Sequence, residues 1–357
     1  MRELVVILPD FFSISSDARS AAAAAAVALP RLPHLEGLLA RATRAALPDW
    51  RAWLRERMAG PSLSAAATVA AAWGLPADAT RQYWLATPVH LFAGLDSVRL
   101  HPQGLLRLSG AEQQRLVSEF AAVFADSPWR LLARDRRELL LVGPALAAGG
   151  ADPAMLLGAD PSAGLPQGAD AATLKRLGSE IELWLHEHPL NLERHSRGEL
   201  PVTGLWLWGS APSSAPSSAP VSSIAHAAPS PAALPSAAPG THRSLPRLAG
   251  EDTYAQALWQ LCGAPAEPTP EPAAALTPAA ALSEPRGAVM LMRVCEPPGL
   301  RAALEHWERR WGSSVRAALA ARRLSALYLL TGTHVHALSW WALARFWRAR
   351  RPWWELL

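Results

Sequence analysis

The chain has 357 residues, half of them hydrophobic, with a formal net charge of +4 and a pI near 9.6. That size and apolar content exclude a disordered or fibrous protein and suffice for one large α/β domain or two smaller ones. All but one of the 34 basic residues are arginine, Lys175 being the exception, and they are interspersed with acids along the chain, so nucleic acid is not an expected partner: a basic patch, rather than a high pI, is the footprint of such binding.

Two cysteines, Cys262 and Cys295, fit a reducing cytoplasm in which a structural disulfide is not expected. The opening MRELVVILPDFF has an apolar run of only five residues before Pro9 and Asp10, which reads as a strand and not as a signal peptide. The apolar stretch 21–29 ends at Pro30, far short of the ~20 residues that cross a bilayer, so no transmembrane segment is expected.

Residues 4–8 form a continuous apolar run, the pattern of a strand buried on both faces of a mainly parallel central sheet flanked by helices. Asp10 lies just beyond its C-terminal end, where open α/β sheets place ligand-binding groups; it is a candidate metal or substrate carboxylate, with a turn or cap role after Pro9 as the plainer alternative. Helices follow from residue 33, over 50–58 and over 63–73, a helical cover for the first strand. Residues 81–100 change to short apolar runs broken by Pro88 and Gly94 and read as two strands, with His90 and Asp96 as their polar landmarks. After Ser109 the helix AEQQRLVSEFAAVFA carries Glu112 three residues on, a capping box. Residues 129–132 and 138–142 then pair as a hairpin across a charged turn, and 144–168 read as a long connection.

The densest stretch of functional groups is 178–209, GSEIELWLHEHPLNLERHSRGELPVTGLWLWG. It reads as a helix stopped near Pro189, a turn, and a buried strand at 205–208. His186 and His188, two apart, share a face only if extended, and fall short of the spacing with which HExxH holds a metal. His188 at a helix C-terminus is suited to bonding exposed carbonyls. Asn191, Arg194 and Arg197, with Trp206 and Trp208 on the strand, fit either an anion-binding pocket or a buried polar network. No nucleophile elbow, Walker loop, GxGxxG or CxxC occurs.

Residues 210–245 are almost wholly Ser, Ala and Pro and read as a disordered linker between two parts, 1–209 and 246–357, of one α/β domain; a second Pro/Ala-rich gap covers 265–285. A strand at 288–294 and a helix at 299–321 precede a hairpin over 324–339, on which His334 and His336 share a side, half of a metal site. The last helix carries Trp340, Trp341, Trp347, Trp353 and Trp354 among arginines, either closing the core or presenting a face to a protein partner or an anionic membrane surface.

The segment LHEHPLNLERHSRGELPVTGLWLWG resembles the signature of the bacterial RpfE-type proteins, a phosphoglycerate-mutase-like family named for regulation of pathogenicity factors. His186, His188, Pro189, Asn191, Arg194, Gly198, Trp206, Trp208 and Gly209 match; LPHLEGLLARA at 32–42, YWLATPVHLFAGLDSVRL at 83–100 and Arg345-Phe346-Trp347-Arg348 are similar as well. Thr203, His195 and Ser210-Ala211 depart from the pattern, standing where an Asn, an acid and a second glycine are expected. The resemblance implies an alkaline-phosphatase-like α/β fold with a Ser or Thr nucleophile and two metals held by Asp and His. Of that set only Asp10 stands at a fitting place, and no Asp-His or Asp-x-x-x-His occurs. The expectation is therefore a non-catalytic or regulatory cytoplasmic protein. The alternatives are a phosphomutase or phosphatase using Asp10, His186 and His188, the one case in which a divalent metal is expected, and a protein that binds a partner or membrane surface through its Trp/Arg C-terminus.

Overall fold

The computed structural model describes residues 2–10, 30–94, 97–134, 138–210, 245–264, 272–293, 300–345 and 347–356. Asp96, Cys295, Phe346, the charged turn at 135–137 and nearly all of the 210–245 linker lie outside the described residues. In chain order the strands are β1 (Glu3–Leu8), β2 (Thr43–Ala46), β3 (Arg81–Ala93), β4 (Val98–Leu105), β5 (Arg130–Ala133), β6 (Leu139–Pro144), β7 (Gly204–Trp208), β8 (Arg247–Ala249), β9 (Gly287–Leu291), β10 (Ala326–Thr331) and β11 (His334–Ser339). Contacts divide the chain into two compact units, Met1–Gly60 with Ala228–Leu357 and Pro61–Ala227. The division thus falls at Gly60 as well as in the linker, where the sequence suggests a single interrupted domain.

In the first unit the sheet order is β2-β11-β10-β1-β9-β8. β1 sits between parallel neighbours, with Val5 opposite Val289 on β9 and Tyr328 on β10. Being flanked on both edges and covered on both faces, it needs apolar residues at successive positions, which explains the unbroken run from Leu4 to Leu8. β10 and β11 form the expected hairpin, and β2, a short strand where the sequence suggests helix, pairs with β11 at the edge. The sheet is mixed: β1, β8, β9 and β10 run parallel, whereas β11 and β2 pair antiparallel.

Helix Pro33–Leu39 turns Leu35, Leu38 and Leu39 into this core. Its first free N–H groups, those of His34 and Leu35, donate to the Glu308 carboxylate at 2.7 and 3.0 Å, so an acid remote in sequence caps the positive end of the helix. Glu308 opens a π-helical turn, Glu308–Gly312, which interrupts the helix expected over 299–321 into Leu300–Trp307 and Ser313–Ala320. Part of the second Pro/Ala-rich gap is also helical: Thr277 caps Pro278–Ser283. The last helix shrinks to a 3₁₀ turn, Trp340–Ala344, and a final Trp353–Leu356.

The second unit is antiparallel throughout: β3 with β4 and β5 with β6 are joined by short connections that only antiparallel pairing permits, and β6 and β7 also pair antiparallel with β3 across longer ones. A mainly parallel sheet is therefore confined to the middle of the first unit. β3 is one long strand rather than the two the sequence suggests, with β6 and then β4 along one edge and β7 along the other. Pro88 lies between the last β6 partner, at Ala86, and the first β4 partner, at Val89, where no ladder bond requires its missing N–H. The third expected helix, Ala65–Ala72, belongs to this unit.

Two glycines set up a test of backbone geometry. Gly287 opens β9 at φ +83°, and a Cβ there would lie 1.8 Å from the Glu3 carbonyl oxygen; Gly178, inside helix Ala171–His186, would meet nothing within 4 Å. Gly287→Ala is expected to cost more than about 3 kcal/mol of unfolding free energy, and Gly178→Ala to add about 0.5–1 kcal/mol, both read from urea midpoints.

Candidate functional site

The candidate stretch grows from helix Ala171–His186, whose Leu174, Leu177, Ile181 and Leu185 recur at helical spacing and pack it over the sheet of the second unit. The helix stops ahead of Pro189 as expected, but a second helix, Pro189–Ser196, follows before the strand. Proline occupies its first turn, where a missing N–H costs nothing.

His188 is the N-cap of that second helix and is only 3% exposed. Its Nδ1 accepts from the Leu190 N–H at 3.1 Å, which places the ring proton on Nε2, 2.6 Å from Glu119 Oε2. This reverses the expected role: His188 serves the positive start of one helix and not the carbonyl end of the other. The carbonyl end is served by Asn191, whose Nδ2 donates to Leu185 O at 2.8 Å and to Val202 O at 2.9 Å while Oδ1 accepts from Val202 N–H at 2.8 Å. One side chain thereby ties the end of the first helix to the segment entering β7.

Arg194 is buried. Its Nε donates to Leu200 O at 2.8 Å, and its Nη1 stands 2.9 Å from Glu112 Oε1 and 3.3 Å from Glu199 Oε2. Arg197, more exposed, donates to Glu112 Oε1 at 2.7 Å and to both oxygens of Glu199. Glu112 in turn accepts from the Ser109 N–H at 2.6 Å, completing the capping box of helix Gly110–Val123. Burial by itself pushes the Glu112 carboxyl up; the Ser109 hydrogen bonds and the Arg194 charge outweigh it and hold the group below its usual range. Arg115, hydrogen-bonded to Glu119, holds that carboxyl low as well.

The two strand tryptophans also face inward. Trp206 Nε1 donates to Ala151 O at 2.8 Å. Trp208 Nε1 donates to Thr87 Oγ1 at 2.8 Å, and Thr87 donates to Glu138 Oε2 at 2.6 Å, a buried polar chain that crosses from β7 through β3 toward β6. The sequence hides Glu138, Glu119 and Thr87, since nothing local marks an acid before a strand or a threonine within one as a long-range partner. Only the Ser109-Glu112 spacing announces part of the network.

Asp10 is buried in the first unit and engaged by other groups. His186 is exposed at the helix end and belongs to the second unit, as does His188. His90, its imidazole pushed below its usual range by burial, stands 3.0 Å from Pro201 O through Nδ1, and Asp96 lies outside the described residues. His334 and His336 do share a side of β11, with ring centroids 6.5 Å apart. Yet His334 meets Thr333 Oγ1 at 2.8 Å and Arg44 Nη2 at 3.3 Å, and the same Arg44 is the β2 register partner of His336. Burial, with Arg44 and His334 adding to it, pushes His336 down to about 4, so it is neutral near pH 7.

A two-metal centre needs several carboxylates and imidazoles converging on one point. Among the described residues no three His, Cys, Asp or Glu side chains cluster in that way. His188 has spent its Nδ1 lone pair on a backbone N–H, and Asn191 has both N–H donors and its oxygen engaged by backbone. The residues present do not fit such a group. Among the described residues no helix is long and apolar enough to cross a membrane.

No family model and no curated protein matches the chain. Among solved structures it is similar to the cofactor-independent phosphoglycerate mutase from Thermoplasma acidophilum DSM 1728, at 13% identity over 95% of this chain and 90% of that one with a TM-score of 0.35. It is also similar to the PH0037 protein from Pyrococcus horikoshii, at 12% identity over 95% and 87% of the two chains with a TM-score of 0.40.

Asn191→Ala strands the Val202 N–H and carbonyl and removes one donor from Leu185 O, and is expected to lower stability by about 2 kcal/mol in a denaturant titration. The depressed Glu112 pKa makes its stabilisation complete above the ordinary value of 4.5 and lost as pH falls through the lower folded value. Glu112→Gln, which leaves Arg194 without its buried counter-charge, is expected to cost about 3 kcal/mol at pH 7. Its urea midpoint should also fall less steeply than that of the wild type below pH 4.5.

Proposed function

We propose that the chain is an RpfE-like protein of phosphoglycerate-mutase-like ancestry that acts without catalysis, in a regulatory role in the cytoplasm. One observation supports this most: in the signature-like stretch the buried His188, Arg194, Trp206 and Trp208 and the half-buried Asn191 each hold at least one hydrogen bond to a protein group. A catalytic site keeps acids, bases or metal ligands turned toward a space that substrate can enter. Here they are turned toward backbone and toward each other, so the stretch builds a helix junction and delivers β7 to the sheet. Such an assignment separates the fold from the chemistry that other proteins mount on it. The cytoplasmic location rests on the two-cysteine content.

Metal analysis of the purified full chain, run beside phosphatase and phosphomutase assays with added manganese or zinc, tests this reading. The expected result is less than one metal per several chains and no turnover above buffer. Stoichiometric metal with turnover that disappears in Asp10→Asn or His186→Ala would establish the enzyme alternative instead.

A further inference from the structure

The first unit carries an aromatic and cationic face that the site above does not use. After β11 the chain runs through the 3₁₀ turn Trp340–Ala344 and an irregular stretch, and is pinned again where Trp353 Nε1 donates to Pro30 O at 3.0 Å. Trp353 is buried, but Trp340, Trp341 and Trp347 are 43%, 47% and 70% exposed. Arginines gather around them. The Arg322 guanidinium lies 4.1 Å from the Trp340 ring centroid, and that of Arg345 lies 4.6 Å from the Trp341 ring.

These arginines are held, yet their charge is not cancelled. Arg345 donates to Arg41 O and Thr43 Oγ1, Arg348 to Ala42 O, and Arg41 to Gly37 O. Carbonyls and hydroxyls fix a guanidinium in place without neutralising it. Among the described residues no carboxylate forms an ion pair with Arg41, Arg322, Arg345, Arg348 or Arg350. Two of them converge over Gly37: Arg41 Nη1 and Arg350 Nε lie 3.6 and 3.7 Å from the point where a Cβ would stand. Burial, with the charges of Arg350 and Arg316 adding to it, pushes the Arg41 guanidinium below its usual value. From residue 340 to the end the only acid is Glu355, whose charge acts on Arg31.

We propose that this face, the exposed tryptophans of residues 340–347 with the guanidiniums of Arg41, Arg345, Arg348 and Arg350, docks onto the surface of an anionic phospholipid bilayer. Unneutralised guanidiniums match lipid phosphates in charge and in hydrogen-bond geometry. Indole, apolar in body with one polar N–H, is the side chain that settles at headgroup depth. One face of Trp340 and of Trp341 is already taken by a guanidinium, which suits shallow, edge-first insertion and disfavours stacking on nucleic-acid bases. Neither element is sufficient alone, since single weak anchors bind membranes reversibly; the two together supply a charge term and an apolar term on one face.

The test is co-sedimentation of the full chain with vesicles of phosphatidylcholine alone or containing roughly a third phosphatidylglycerol, at low and high salt. Expected are binding to the anionic vesicles only, loss of at least tenfold of that binding at high salt, and quenching of tryptophan fluorescence by brominated lipid. The triple variant Trp340→Ser, Trp341→Ser, Trp347→Ser and the triple variant Arg345→Gln, Arg348→Gln, Arg350→Gln should each weaken binding at least tenfold with an unchanged melting midpoint. Should a triple variant fail to fold, the single Arg350→Glu and the brominated-lipid quenching of the wild type decide the matter. Equal binding to neutral and anionic vesicles, no binding to either, or tighter binding to a single-stranded oligonucleotide than to anionic vesicles would overturn the proposal.

Discussion

The carboxylate of Glu112 is the point on which the candidate region depends. It closes the N-terminus of helix Gly110–Val123 through Ser109, and the same oxygen that meets Arg194 also meets Arg197, so two segments more than eighty positions apart share one buried charge. Taking a carboxylate and a guanidinium out of water costs several kcal/mol each, and only close geometry with full hydrogen bonding offsets that. Arg194 adds to that contact an Nε donation to Leu200 O and an Nη1 ion pair with Glu199. The turn carrying Gly198 is consequently fixed, and with it the path by which the chain enters β7.

From that fixed turn the identity of the neighbouring residues follows. A helix stopped by Pro189 leaves orphan carbonyls at its end and orphan N–H groups at the start of the next helix. Asn191 answers the first and His188 the second, each with side-chain atoms of the required polarity. The Leu190 N–H donating to Nδ1 also fixes the histidine tautomer, with the ring proton on Nε2 beside Glu119, and leaves neither ring nitrogen a free lone pair for a metal in this state. Residues that resemble a catalytic cluster when written in a line are here the solution to two helix ends meeting.

How much of this was legible in the sequence depends on the range of the interaction. The β1 run, the Ser109-Glu112 capping box, the stop before Pro189 and the β10–β11 hairpin are set by residues within a few positions of one another, and all can be read in the line of text. The Arg194 pairing with Glu112, the Glu308 cap on helix Pro33–Leu39 and the Trp208-Thr87-Glu138 chain span tens to hundreds of positions and carry no local mark. β2 escaped notice for a related reason: Thr43-Arg44-Ala45-Ala46 has little strand propensity, and its partner β11 supplies the order. The expectation of one mainly parallel sheet failed because an apolar run reports burial but not strand direction.

The distribution of charge shows the same limit from the opposite side. Along the chain the arginines alternate with acids, and many of them do find carboxylates: Arg115 with Glu119 and Glu193, Arg301 with Glu305, Arg197 with Glu199. Those pairs are mostly exposed and contribute little each, since solvent and salt screen them. Folding sorts the remainder differently. Arg41 comes from the turn after helix Pro33–Leu39, Arg322 from before the last hairpin and Arg345, Arg348 and Arg350 from after it, and backbone carbonyls, not carboxylates, hold Arg41, Arg345 and Arg348. A modest net charge of +4 is therefore compatible with a strongly cationic patch, because net charge sums over pairs that cancel locally and says nothing of where the unpaired remainder lies.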